Sequence, residues 1–200
     1  MKLLFQEQSI EFEQVPFTDE VIKSINRFLG NQFYFSHLLV DGEEVLENPE
    51  QFLLENIANV EILEVIAISA KVFVDDLLLS SEEYTERAIP HITMLFNAFY
   101  INPTQENWIE LSEVLEGIQW LLSMVEAIDN SIVRPSNWTE VMTPIAGLKE
   151  ELGNLEEALE NTDTVLIADM LQYEILPVFE VLVTEIKGII DTVGTRHDLS

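Results

Sequence analysis

No cysteine occurs anywhere in the 200-residue chain, which removes disulfides, thiolate nucleophiles and cysteine-held metal centres. Positive charge is nearly as scarce. Nine Lys and Arg stand against 37 Asp and Glu, a formal net charge of −28. Phosphate backbones are bound through Lys and Arg with release of counterions, so no direct nucleic-acid binding is expected. Anionic membrane surfaces are disfavoured for the same reason. Glycine numbers only seven, and none gathers into a phosphate-cradling loop. Long apolar runs are missing too. The most apolar stretch, Val65 to Val74, is broken by Lys71 and is too short to span a bilayer. The opening residues, Met1 to Glu7, hold too short an apolar run for a secretory leader. No membrane insertion and a cytoplasmic location are therefore expected.

What is present is core material. Hydrophobic residues make up 48% of the chain, which sets it apart from an apolar-poor disordered acidic chain. The charge is spread evenly, −10 over residues 1–69 and −18 over 70–200, so it coats a folded surface and forms no acidic tail. Such a coat keeps a protein soluble and attracts basic proteins or divalent cations.

The first 69 residues read as a mixture of strands and helices. Met1–Phe5 predicts a short strand, with Ile10–Val15 as its hairpin partner. Thr18 is placed as a helix N-cap, with Asp19 and Glu20 in the first turn, where carboxylates suit the helix dipole. Val21, Ile22, Ile25 and Phe28 follow at helical spacing, and Gly30 stands where a C-terminal cap belongs. Phe33 to Val40 predicts a strand. Asp41-Gly42 is a two-residue hairpin turn, and Val45-Leu46 the short returning strand. Asn48-Pro49 opens a short helix through Phe52 and Leu53. Glu61–Ile68 is apolar apart from Glu61 and Glu64, which predicts a central strand covered on both faces.

The stretch His37 to Leu46, then Asn48 to Asn56, then Val60 to Ile68, resembles the ubiquitin-like β-grasp layout of strand, turn, short strand, short helix and last strand. The resemblance covers the first third of the chain. Conjugated members end in a free Gly-Gly after the last strand, whereas Ser69-Ala70-Lys71 follows here and the chain continues. The resemblance therefore implies a binding module and not a covalent tag.

From residue 80 the apolar period becomes helical. Ser80 and Glu83 fit a capping box. Pro90 is placed to kink or delay the helix it opens. Asn102-Pro103 is a second helix start, followed by Trp108, Leu111, Leu115, Ile118, Leu122 and Val125 in steps of three and four, a bundle seam. Residues 129–136 form a connection. Val141, Ile145, Leu148, Leu152, Leu155 and Leu159 define a third helix, which Pro144 either kinks or begins. Asp163 caps a last helix that Pro177 kinks and Gly194 ends. The expected fold is thus α+β: a small β-grasp-like domain over 1–69, an apolar bridging segment over 70–79 that docks one part on the other, an antiparallel bundle of about four long helices over 80–195, and a frayed tail over 196–200.

Chemistry is hard to find. His37, His91 and His197 are scattered, whereas a triad needs its members held together. No carboxylate precedes a histidine by three residues, as a helical di-metal site requires, and Glu86 and His91, five apart, fall on different helix faces. Asp75-Asp76 and Asp129-Asn130 lack the ligand order of a calcium loop. No catalytic residue, cofactor or metal site is assigned. Among the tryptophans, Trp108 lies on the main seam and belongs to the core. Trp120 is off that seam and Trp138 sits near a helix start, so each is either a candidate interface anchor or part of a second packed face. The leading expectation is a non-enzymatic interaction module, adaptor, regulatory or chaperone-like, with a protein partner or a homodimer. Two alternatives stand beside it. One is an acidic nucleic-acid mimic that inhibits a basic protein. The other is a protein that binds a small ligand or metal ion at the domain junction.

Overall fold

A computed structural model describes residues 1–193, with side chains through residue 192. Gly194, the tail and His197 lie outside the described residues. The chain is α+β, a five-stranded sheet followed by a helical region. It divides into two compact units, Met1–Phe73 and the remainder from Val74.

In the first unit the strands are β1 (Lys2–Phe5), β2 (Gln8–Glu11), β3 (Phe33–Val40), β4 (Glu43–Val45) and β5 (Ile62–Ser69), with α1 (Thr18–Leu29) and α2 (Pro49–Asn56) between them. Their order across the sheet is β2-β1-β5-β3-β4, with β1 and β5 parallel and the other neighbours antiparallel. This agrees with the element order implied by the resemblance, and it makes β5 the central strand. Leu3, Phe5, Leu38, Val40, Leu63 and Val65 point to one face and meet Val21, Ile25 and Leu29 of α1 and Leu53 of α2 in one core.

Local chemistry explains most of this. Asp41 and Gly42 both take positive φ, as a tight hairpin turn demands. The Asp41 carboxylate also accepts hydrogen bonds from the backbone N–H of Ile62 at 2.7 Å and of Glu61 at 3.2 Å, tying the turn to the start of β5. Gly30 ends α1 with φ +53 and donates its N–H to the Asn26 carbonyl. Three boundaries differ from the sequence expectation. The partner of β1 is Gln8–Glu11, because Gln6 takes positive φ and reverses the chain early. Phe17, not Thr18, occupies the N-cap, without a side-chain cap bond, and Thr18 is the first, buried helical residue. Asn48 precedes α2 in the left-handed conformation, and its carbonyl accepts from Phe52 while its side chain caps nothing.

The second unit contains most of α3 (Ala70–Ile101), then α4 (Gln105–Asp129), α5 (Thr139–Glu160), α6 (Thr164–Met170), a π-helical turn (Leu171–Ile175) and α7 (Leu176–Val193). Ile92, Phe99, Leu111, Ile118, Ile128, Val141, Leu148, Phe179, Leu182 and Ile189 are among the residues of its single core.

Several expected helix ends are corrected. Ser80 and Glu83 form no capping box, because α3 is already under way from Ala70. Ser81 is instead wholly buried, and its hydroxyl donates back to the Leu77 carbonyl and to Met124 Sδ. Pro90 lies within α3 without ending it. The start of α4 is capped by Thr104 and not by Asn102. Thr104 Oγ1 accepts from the Asn107 N–H while Asn107 Oδ1 accepts from the Thr104 N–H, a reciprocal pair that satisfies two otherwise unpaired donors. Pro144 sits inside α5, which begins at Thr139. Asp163 does cap α6, its carboxylate accepting from Leu166 N–H at 3.0 Å. Pro177 has no N–H, and its ring crowds the carbonyl four residues back. The wide turn before it, where Leu176 N–H bonds the Leu171 carbonyl five residues earlier, relieves that crowding.

Candidate functional site

The sequence singled out Trp120 and Trp138, and the two have different surroundings. Trp120 is 40% exposed, on α4, edge-on to Tyr84 of α3 with ring centroids 5.4 Å apart. Trp138, directly before α5, is 2% exposed and lies in the core of its unit. Its indole Nε1–H has no hydrogen-bond partner among the described residues. Burial leaves Trp138 no face to present, so as a contact residue it is replaced by its role in packing. Trp108 packs edge-on against Phe99 at 4.8 Å, as a core residue should.

Of the described histidines, His37 lies on β3 of the first unit and His91 on α3 of the second. His91 does not face Glu86. It borders a shallow groove of about 280 Å³ with Tyr84 and Arg87 of its own helix and Glu110 and Glu113 of α4. Among the described residues, no group of three or more His, Asp or Glu is placed to hold a metal ion.

A larger groove, about 560 Å³, opens between α5 and the α6–π segment. Leu166, Met170 and Tyr173 give it apolar surface. Glu151 and Glu157 border it from α5, and Asp169 and Glu174 from the other wall. Residues 166, 169, 170, 173 and 174 recur at helical spacing and line it from one face of the α6–π segment. Among the described residues, no Lys or Arg forms an ion pair with any of these four carboxylates. Two have neutral partners. Glu151 accepts from Asn154 at 2.8 Å, and Asp169 accepts from the Tyr100 hydroxyl of α3 at 2.5 Å. Tyr100 also contacts Gln172 Oε1 at 2.9 Å.

The Tyr100 bond has a pH consequence. Its hydroxyl, hydrogen-bonded to Asp169 and beside that negative charge, is held well above the usual tyrosine range. Tyr84 is also raised, by burial. Both groups favour the protonated, folded state. Their contribution is complete below the unfolded value near pH 10 and is lost as pH rises above it. The melting temperature is therefore expected to fall as pH rises above about 10. A Tyr84→Phe/Tyr100→Phe double variant should show a flatter decline. An equally steep decline in that variant would remove both tyrosines from the account.

A family described as a domain of unknown function (DUF8042) matches residues 76–185, just over half of the chain. The chain belongs to this family. No curated protein and no solved structure matches it. The match runs from within α3 into α7 and takes in every residue of the 560 Å³ groove. Among the described residues, no helix is long and apolar enough to cross a membrane.

The groove was not legible as a site in the sequence. Neither Leu166 nor Met170 stood out there, and Glu151, Glu157, Asp169 and Glu174 are four of 37 carboxylates. The nearest local signal was Pro177, which read only as a kink in the last helix.

Proposed function

We propose that this protein is a non-enzymatic binding module whose helical unit receives a basic segment of a partner protein in the groove between α5 and α6. The observation that carries this is the pairing of an apolar floor, Leu166, Met170 and Tyr173, with four carboxylates that no cation of the described protein pairs with. Apolar floors supply affinity and set the fit, while rim charge steers encounter and rejects the wrong sign. Lys and Arg side chains, whose long stems lie on apolar surface while their heads reach carboxylates, match both features. The net charge of −28 adds a long-range field of the same sign. It also weighs against a second copy of this chain as the occupant.

The test is titration of a labelled amphipathic Lys/Leu peptide by fluorescence anisotropy. Glu151→Lys/Glu174→Lys is expected to weaken binding about tenfold or more, roughly 1.4 kcal/mol. Glu113→Lys/Glu116→Lys, the same charge change on α4, should weaken it far less. Equal losses from the two double variants would reduce the effect to bulk charge and sink the proposal.

A further inference from the structure

The first unit has an apolar pocket of its own, independent of the groove above. Ile22, Ile25 and Leu29 of α1, Phe35 and Leu38 of β3 and Leu53 of α2 enclose about 250 Å³. Its polar lining is confined to Asn26 on one helix and to Glu50 in the first turn of the other.

Phe35 reaches this pocket by a specific device. The pairing of β3 with β5 runs Leu38↔Val65 and Val40↔Leu63, then slips, so that Phe35 pairs with Ala67 and His37 with Ile66. Ser36 is the extra residue. Strict alternation from Leu38 and Val40 would send Phe33 and Phe35 to the opposite face of the sheet. The bulge brings both round to the helix-covered face. Phe33 then packs against Phe5 in the core at 5.3 Å. Phe35 does not finish in the core and remains 38% exposed at the pocket.

Size and charge say what fits. A space of about 150 Å³ takes a benzene-sized ring, so this pocket takes one larger ring. It falls below the roughly 300–1,000 Å³ of whole small-molecule sites. A single aromatic side chain of a protein partner matches it, in the manner of an interface anchor seated in a pocket. No Lys or Arg of the described residues pairs with Glu50. Lys23 and Arg27 of α1 do not line the pocket, and residues 1–69 carry a net charge of −10. Basic side chains flanking the anchor complement that charge.

We propose that the pocket between α1, α2 and the bulge of β3 is a docking site for an aromatic side chain flanked by Arg or Lys in a partner polypeptide. It is tested on the full chain by following backbone amide shifts during titration with a capped Arg-Trp-Arg peptide. Capped Arg-Ala-Arg, capped Glu-Trp-Glu and free indole are run in parallel. Arg-Trp-Arg should move the amides of 22–29, 35 and 50–53 and bind about tenfold tighter than Arg-Ala-Arg. Glu-Trp-Glu should leave those amides in place. Phe35→Ala, whose spectrum elsewhere reports its folding, should weaken Arg-Trp-Arg severalfold, and the exposed Glu50→Gln about two- to threefold. Equal binding of Arg-Ala-Arg, or shifts confined to other residues, would overturn the proposal. Indole binding as tightly as Arg-Trp-Arg would also overturn it and mark a small-molecule pocket instead.

Discussion

Replacing Trp138 with alanine is expected to destabilise the protein by about 3–5 kcal/mol, the usual range for emptying a buried aromatic site. Trp138 is 2% exposed and belongs to the core of its unit. It enters that core from the last residue of the connection, where its N–H bonds the Pro135 carbonyl and its own carbonyl accepts from Val141 and Met142. The side chain thus joins an irregular segment to the first turn of α5. Losing it opens a cavity where the chain is least able to close one, since Pro135 fixes the backbone nearby. Trp120→Ala, on the exposed face of α4, should cost about 1 kcal/mol or less, because it loses mainly the edge contact with Tyr84. Chemical denaturation of the two variants separates these outcomes. Equal, small losses would mean that Trp138 is not a core residue.

The second large effect runs against helix propensity. Gly117 lies within α4, where alanine is ordinarily better by up to about 1 kcal/mol. Gly117→Ala is nevertheless expected to destabilise by about 1–3 kcal/mol. A Cβ built there would stand 1.8 Å from the Tyr84 hydroxyl oxygen and 2.4 Å from Cζ of the same ring. That ring cannot yield cheaply. It stands edge-on to Trp120 on one side and within 6.1 Å of Phe179 on the other, and its hydroxyl reaches the Val114 carbonyl. Gly147 and Gly153 of α5 provide the opposite case, since a Cβ at either meets nothing within 4 Å. Alanine at those two positions should stabilise by roughly 0.5–1 kcal/mol each. Denaturant midpoints give both signs in one experiment. The mechanism is checked by repeating Gly117→Ala in a Tyr84→Ala background, where the penalty should vanish. A penalty that persists there would place its cause elsewhere.

These two positions also show what the sequence could convey. The strand and helix order of the first unit was legible because its signals are local. Asp41-Gly42 demands positive φ, Gly30 ends a helix, and the apolar run of β5 marks a strand, although its second face, with Ile62 and Glu64, is not buried. The helical unit was legible as helices, because apolar residues recur every three or four positions over long spans. Helix ends were less so. Ser80 and Glu83 have the right spacing for a cap, yet the apolar residues from Ala70 onward had already begun the turn. Asn102 and Thr104 compete for one cap, and the reciprocal bond with Asn107 decides between them. Contacts between distant elements were least legible. Nothing in the local pattern says that Gly117 exists for Tyr84, that Trp138 folds inward, or that a slip at Ser36 turns Phe35 toward α1. The candidate groove belongs to this last kind, as its carboxylates come from two helices far apart in sequence.

The proposal for the helical unit is tested most directly by hydrogen exchange of the full chain, with and without the Lys/Leu peptide. Protection is expected to concentrate in residues 151–157 and 166–174, the two walls of the groove. Uniform protection across the acidic surface, or protection confined to other helices, would contradict the account.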